Sequence, residues 1–320
     1  MLSTLRSFRE HRINRIVQHG ASVASIEGDV LGISGARQLT WTHCAEKGRL
    51  LELDGSPTSN LKEWFSPIRA ILFCPENVSI VRGGPEERRG FVDRARFTAT
   101  PAYLDLVRSY RRALRQKSVL LHAPRSPQAA ELDVWDSRLA ELGVRMAQQR
   151  LEIIDQLRDP FQQMMSFIAG NEHVDLQVIG VGIPGVTARS LREKMLQARP
   201  LELRRRMVLS GPHRDDVRIS INGHPARQFA SQGQARSIVL ALKLAELEAA
   251  RRRGDAPLFL LDDLTSELDA RRRAHLVEIL ASMESQVWIT TTDPGYLSTL
   301  PKDQSCHWRV SAGQVRSGDN

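Results

Sequence analysis

Apolar residues in the first 85 positions come in short runs separated by turn signals. Ser22–Ile26, Leu50–Leu53 and Ala70–Phe73 have strand length, and Asp54-Gly55-Ser56-Pro57 is a turn. The pattern changes at Gly83-Gly84-Pro85-Glu86-Glu87, which predicts a helix start. A proline at the first helical position needs no N–H, and the two carboxylates fall in the positive first turn. From there to about residue 170 the spacing is helical. Tyr103, Leu106, Tyr110 and Leu114 share one face, and Leu132, Trp135, Leu139, Leu142, Met146, Ile153 and Leu157 form a longer stripe. Pro124 and Pro127 separate two helical stretches. Strand signals return at Val174–Val181, a helix follows over about Thr187–Arg206, and Val217, Ile219 and Ile221 alternate up to the hairpin pair Asn222-Gly223. No internal repeat is visible, and nothing is of low complexity except a polar tail after Ser311.

The pattern therefore predicts a mixed α/β fold with an inserted helical arm. Residues 1–85 would form one part of the α/β domain, 86–170 the arm, and 171–320 the rest.

Candidate chemistry gathers near the C-terminal end. Leu258–Leu261 is a continuous apolar run, as in a strand buried on both faces, and it stops at two carboxylates, Asp262 and Asp263. Ligands of open α/β sheets sit outside the carboxyl ends of strands, where two acids can hold Mg²⁺ and orient a water. Acids that merely start a loop would read the same way. A helix from about Ala270 and a second apolar strand in Gln286–Asp293 complete a βαβ unit. Upstream, Ser231-Gln232-Gly233-Gln234 precedes a helix whose Ile238, Leu242, Ala245 and Ala249 share a face. Ser231 suits an N-cap, Gly233 permits close backbone approach, and free N–H groups at a helix start attract anions. An ordinary capped helix would look alike.

Composition narrows the classes. With 320 residues, 41% hydrophobic and 26% charged, the chain can bury a large core. No apolar run approaches the ~18 residues of a membrane span, and the basic N-terminal segment lacks the apolar stretch of a secretory signal. The cytoplasm is the expected compartment. Cys44, Cys74 and Cys306 stand far apart without metal-ligand spacing, which predicts buried free thiols. The net charge is +8, and only six of the 45 basic residues are Lys. Arginine forks suit phosphates, so a nucleic-acid partner would account for Arg111–Arg112–Arg115, Arg204–Arg206, Arg251–Arg253 and Arg271–Arg273. So would arginine-rich solvated helix faces.

The order SQGQ with its helix, LLDD, SELD and then a strand ending in TTTD is that of an ABC-type ATPase head. Beyond that, Phe229–Glu246 (FASQGQARSIVLALKLAE), Ser210–Val217 (SGPHRDDV), Leu260–Arg273 and Phe73–Asp93 resemble the RecF recombination-mediator family. Generic ABC transporters have neither the GPHRDD tract nor the Phe73–Asp93 tract.

This resemblance implies an ATPase head with a helical arm, ATP-dependent homodimerisation on DNA, and work at single-strand gaps and stalled forks. RecO and RecR would be its partners in loading the RecA recombinase. It implies that Asp262 coordinates Mg²⁺ and that Asp263 positions the attacking water. Ser231, Gln232, Gly233 and Gln234 would reach the γ-phosphate of ATP held by the other subunit, with Asp269 at the seam. Asp293 stands where transporters often carry a switch histidine, in keeping with slow hydrolysis. Arg108, Arg111, Arg112 and Arg115 would contact DNA phosphates.

One part of such a site is missing from the sequence. A phosphate loop reads GxxxxGK[ST], and no Gly-Lys pair occurs anywhere in the chain. Met1–Arg12 resembles the segment after the phosphate-loop helix, which implies roughly 35 further residues upstream in the family. The alternative is a DNA-binding scaffold or fragment that no longer binds ATP.

Overall fold

The computed structural model describes residues 1–320 except 6, 8–9, 11, 33–34, 126, 184, 264–269, 283–284, 293–304 and 318–320; the side chains of 270–274 are likewise outside it. The chain opens with an antiparallel meander, β1 (Val23–Gly32), β2 (Gly35–Cys44), β3 (Gly48–Leu53) and β4 (Ser56–Pro57). Leu39 and Trp41 of β2 and Leu51 and Leu53 of β3 alternate into a small core with Leu5. The short helix α1 (Leu61–Trp64), capped by Asn60, adds Trp64 and Phe65. Strand β2 went unread in the sequence because its two buried apolar residues are diluted by Gln38, Thr40, Thr42 and His43.

Next come β5 (Ala70–Phe73), α2 (Ser79–Arg82), α3 (Pro85–Ala99), α4 (Tyr103–His122) and α5 (Ala129–Ala169). Helix α3 starts at Pro85 with Glu86 and Glu87 in its first turn, as the sequence predicts. The long apolar stripe is one continuous helix of 41 residues, about 60 Å at 1.5 Å per residue. The antiparallel sheet β6 (Val174–Ile179), β7 (Asp216–Ile221) and β8 (His224–Pro225) encloses α6 (Ala188–Arg205) in sequence and turns at Asn222-Gly223, both at positive φ. The chain ends with α7 (Ala226–Phe229), α8 (Gln232–Arg252), β9 (Leu258–Leu261), α9 (Ala270–Ala281), β10 (Val287–Ile289) and a hairpin, β11 (Trp308–Ser311) and β12 (Gln314–Ser317). Its second strand, β12, falls in what reads in the sequence as a polar tail after Ser311.

Strands β10, β9 and β5 form a parallel sheet in that order. Ile71, Phe73, Phe259 and Leu261 point from it onto α8 and are buried. Helix α8 is wedged between this sheet and α5. Its predicted apolar face is therefore only part of the story: Val239, Leu240, Ala241, Leu244 and Leu247 are buried too. Lys243 is caught inside, with Nζ 3.0 Å from Glu246 Oε2 and 4.9 Å from the Phe91 ring centre. Burial lowers its pKa, and Glu246 opposes that.

Helix α5 serves two cores. Its first half, with Leu139, Leu142 and Met146, packs on Tyr103, Val107 and Tyr110 of α4 and on Leu191 and Met195 of α6. Its second half, with Ile153, Leu157, Phe161 and Met165, joins the α8 core. Three ionic side chains are fully buried between α4, α5 and α6. Lys117 Nζ lies 2.6 Å from both Asp136 Oδ1 and Glu202 Oε2, and Arg199 reaches Asp136 Oδ2 at 2.6 Å and Asp133 Oδ1 at 2.7 Å.

Candidate functional site

The two acids stand at the carboxyl edge of the parallel sheet. Asp262 follows the last residue of β9, and its N–H donates to Phe73 O of β5 at 2.9 Å. Thr290, just past β10, links the pair. Its hydroxyl donates to Asp262 Oδ1 at 2.7 Å, and the Asp263 N–H donates to that hydroxyl at 3.0 Å. Asp263 has φ +52°, a left-handed conformation that Asp tolerates better than most residues. Both acids are partly exposed. Thr290 was not singled out in the sequence; its signal is a polar residue ending an apolar strand beside the one that carries the acids. Asp269 and Asp293 lie outside the described residues.

The Ser231–Gln234 turn begins α8. Ser231 Oγ accepts from Gln234 N at 3.1 Å, and Gln234 Oε1 accepts from Ser231 N at 2.7 Å, a reciprocal cap. Gln234 also donates to Glu172 Oε1 at 2.7 Å. Ser231 and Gln232 are exposed, and Gly233 is half-buried. Cys74 stands next to Phe73 at the sheet edge. Burial pushes the Cys74 thiol up to about 12, consistent with an inert buried thiol, whereas Cys306 is exposed.

Arg108, Arg111, Arg112 and Arg115 are all exposed on α4, opposite the face that carries Lys117. Among the described residues none of the four makes an ion pair. Arg111 and Arg115 flank a shallow surface groove with Leu114, Ser118, Val119 and His122.

The GPHRDD tract is a junction between the helical arm and the head. Arg150 of α5 forks onto Asp93 at 2.8 and 2.9 Å and donates to Pro212 O at 2.7 Å. Asp216 accepts both ends of the buried Arg88 fork at 2.7 and 3.0 Å. Asp215 Oδ1 accepts from Val181 N at 2.7 Å, and burial raises the Asp215 pKa. His213 Nδ1 meets the Tyr110 hydroxyl at 2.6 Å, and burial drives the imidazole down to about 4, so it is neutral. Gly211, at φ +136°, leaves room for that hydroxyl, which a Cβ would meet at 2.5 Å. These partners are far apart in sequence, and no local pattern marks them.

No protein-family model matches the chain. Among curated proteins it is similar to the DNA replication and repair protein RecF of Geobacter sulfurreducens, 37% identical over 322 aligned positions that cover 98% of this chain and 87% of that protein. The chain belongs to the RecF family. The DNA replication and repair protein RecF of Geotalea daltonii is 33% identical over the same shares. A solved structure of the recombination mediator protein RecF-ATPrS in the RecFOR pathway superposes with a TM-score of 0.87 at 25% identity, over 99% of this chain and 86% of that one. An Smc head bound to the C-winged helix domain of ScpA superposes with a TM-score of 0.53 at 10% identity, over 97% of this chain and 79% of that one. The RecF fold seen here is thus α/β, an ABC-type ATPase head with an inserted helical arm, as the sequence predicts. Among the described residues no helix is long and apolar enough to cross a membrane.

Proposed function

We propose that this RecF-family chain is a cytoplasmic ATP-dependent DNA repair factor. It acts as a homodimer at single-strand gaps and stalled forks, where it helps RecO- and RecR-type mediators load a RecA-type recombinase. One observation carries the reading: two acids linked through the Thr290 hydroxyl stand at the carboxyl edge of the parallel sheet, and the exposed Ser231 turn that starts α8 would be the part a second copy brings to the triphosphate. The curated relatives are DNA replication and repair proteins, and a solved relative holds an ATP analogue.

The donor set fits Mg²⁺. Asp262, Asp263 and the Thr290 hydroxyl offer only oxygens, and Mg²⁺ binds through one or two carboxylates together with phosphates and waters. Asp262 would hold the ion, and Asp263, pinned through its N–H, would orient a water. The residues present fit the triphosphate less fully. They offer the metal side and the partner-facing turn, but no GxxxxGK[ST] cradle. Arg108, Arg111, Arg112 and Arg115 would meet DNA phosphates along α4.

That missing cradle also favours a second reading, a DNA-binding scaffold that does not bind ATP. Titrating ATP with Mg²⁺ while following the sedimentation coefficient separates the two. ATP-driven dimerisation that Ser231→Arg abolishes supports the first. DNA binding with neither ATP affinity nor dimerisation would leave only the second.

A further inference from the structure

A basic notch lies where α2, α3, β7 and α7 meet. A cavity of about 160 Å³ opens between α2, α3, β7 and α7, with Val81, Ile179, Ile219 and Pro225 as its apolar lining. Arg88, Arg218, Arg227 and Gln228 bring donors to it, and Asp216 is its one carboxylate. That carboxylate is consumed by Arg88, whose fork takes both its oxygens and whose third bond goes to Gly83 O at 3.0 Å. Arg218 and Arg227 are exposed, and among the described residues neither has a carboxylate partner. Arg82 reaches the Arg227 carbonyl at 3.3 Å and also the Ala230 carbonyl, which ties α7 down. Three guanidiniums therefore line the notch with one acid, an excess of two positive charges at a concave site.

An exposed aromatic pair neighbours the lining residues Pro225 and Gln228 in sequence. Phe229, the last residue of α7, is 62% exposed, and the His224 ring lies 5.1 Å from it at a 41° tilt. Leaving a phenyl ring in water costs apolar burial, so a flat partner gains by covering it. Guanidinium forks for phosphate next to an exposed ring for stacking are the two elements of single-strand nucleic-acid binding.

We propose that this notch binds single-stranded DNA, with a phosphate between Arg218 and Arg227 and a base against Phe229. Arg88 and Arg82 hold the frame: the first fixes Asp216 and the α3–β7 contact, and the second fixes α7. The proposal rests on the DNA-repair reading and adds to it a second, head-borne contact that takes a single strand.

The test measures binding of a labelled oligothymidine and of a gapped duplex by fluorescence anisotropy across a salt series, with and without ATP and Mg²⁺. Proteins compared are the wild type, Arg218→Ala/Arg227→Ala, Phe229→Leu and the α4 variant Arg111→Ala/Arg112→Ala/Arg115→Ala. The notch variant should bind oligothymidine more weakly, with the slope of log affinity on log salt reduced by about 0.7 per lost phosphate contact. Phe229→Leu should lose roughly 5- to 150-fold in affinity with the slope unchanged. Arg218→Lys/Arg227→Lys keeps the charge and should recover most of the slope, and unchanged melting curves show that each variant is folded. Wild-type binding by the notch and Phe229 variants, with only the α4 variant weakened, overturns the notch and leaves the repair reading standing. No DNA binding by the wild type under any condition overturns both. If Phe229→Leu alters self-association without DNA and spares oligothymidine binding, the aromatic pair is a contact between copies and the proposal fails.

Discussion

Asp136 and Glu202 lie with Lys117 in the interior between α4, α5 and α6, all three fully buried. Asp262 and Asp263 lie at the rim of the parallel sheet, partly exposed and joined through one threonine hydroxyl. Both pairs are carboxylates, and their surroundings give them opposite work. Buried carboxylates cost several kcal/mol each in lost hydration, so each must be matched by a cation in good geometry, and the set becomes rigid. Acids at an open edge lose less hydration, so no buried cation has to match them. Burial and position at a strand end, rather than sequence motif, separate structural acids from candidate chemical ones.

The comparison breaks first at Lys117. Lys117→Met leaves Glu202 buried without its cation and Asp136 with Arg199 alone, and should cost about 3–5 kcal/mol of unfolding free energy, read from urea denaturation. A loss below about 1 kcal/mol would mean that this interior is wetter than described.

His213 tests the junction beside that network. Its folded pKa of about 4 lies below the ordinary 6.5, so between these values the unfolded chain holds a proton that the folded chain does not. The stability it contributes is complete above 6.5 and drains away as pH falls toward 4, by up to about 3 kcal/mol. Urea midpoints at neutral and acid pH measure this, and His213→Gln should flatten the difference.

Ser231→Ala removes the cap of α8 and should cost about 1 kcal/mol, with Ser231→Gly costing only a few tenths. The smallest stability effect sharpens the comparison most. Asp262→Asn should move the unfolding free energy by less than about 0.5 kcal/mol while removing any Mg²⁺-dependent nucleotide affinity measured by calorimetry. A large stability loss there would place Asp262 with the structural acids.

The sequence carried the outline of the sheet edge because its signal is local: an apolar run that stops at two acids. It carried the Ser231 cap for the same reason, and the strand Ala70–Phe73 and the α3 start at Pro85 at residue resolution. It carried none of the networks that hold the arm, since Lys117 and Glu202 are 85 positions apart and Arg150 and Asp93 are 57 apart. Helix α8 shows the limit of periodicity. A stripe reveals one covered face, but a helix wedged between a sheet and another helix is covered on all of them, and Lys243 and Glu246 gave no hint of it. The basic notch was equally hidden, because β7, α7 and α3 meet there only in three dimensions.

The uninterrupted course of α5 makes the chain sensitive to length rather than to composition. Adding one residue between Ala147 and Ile153 would swing everything beyond it by about 100° and shift it by 1.5 Å, so the Arg-bearing face of α4 would point elsewhere relative to the sheet. Adding seven would restore the angle to within about 20° and lengthen the reach by roughly 10 Å. Viable changes to the span of this strut should therefore come in whole heptads.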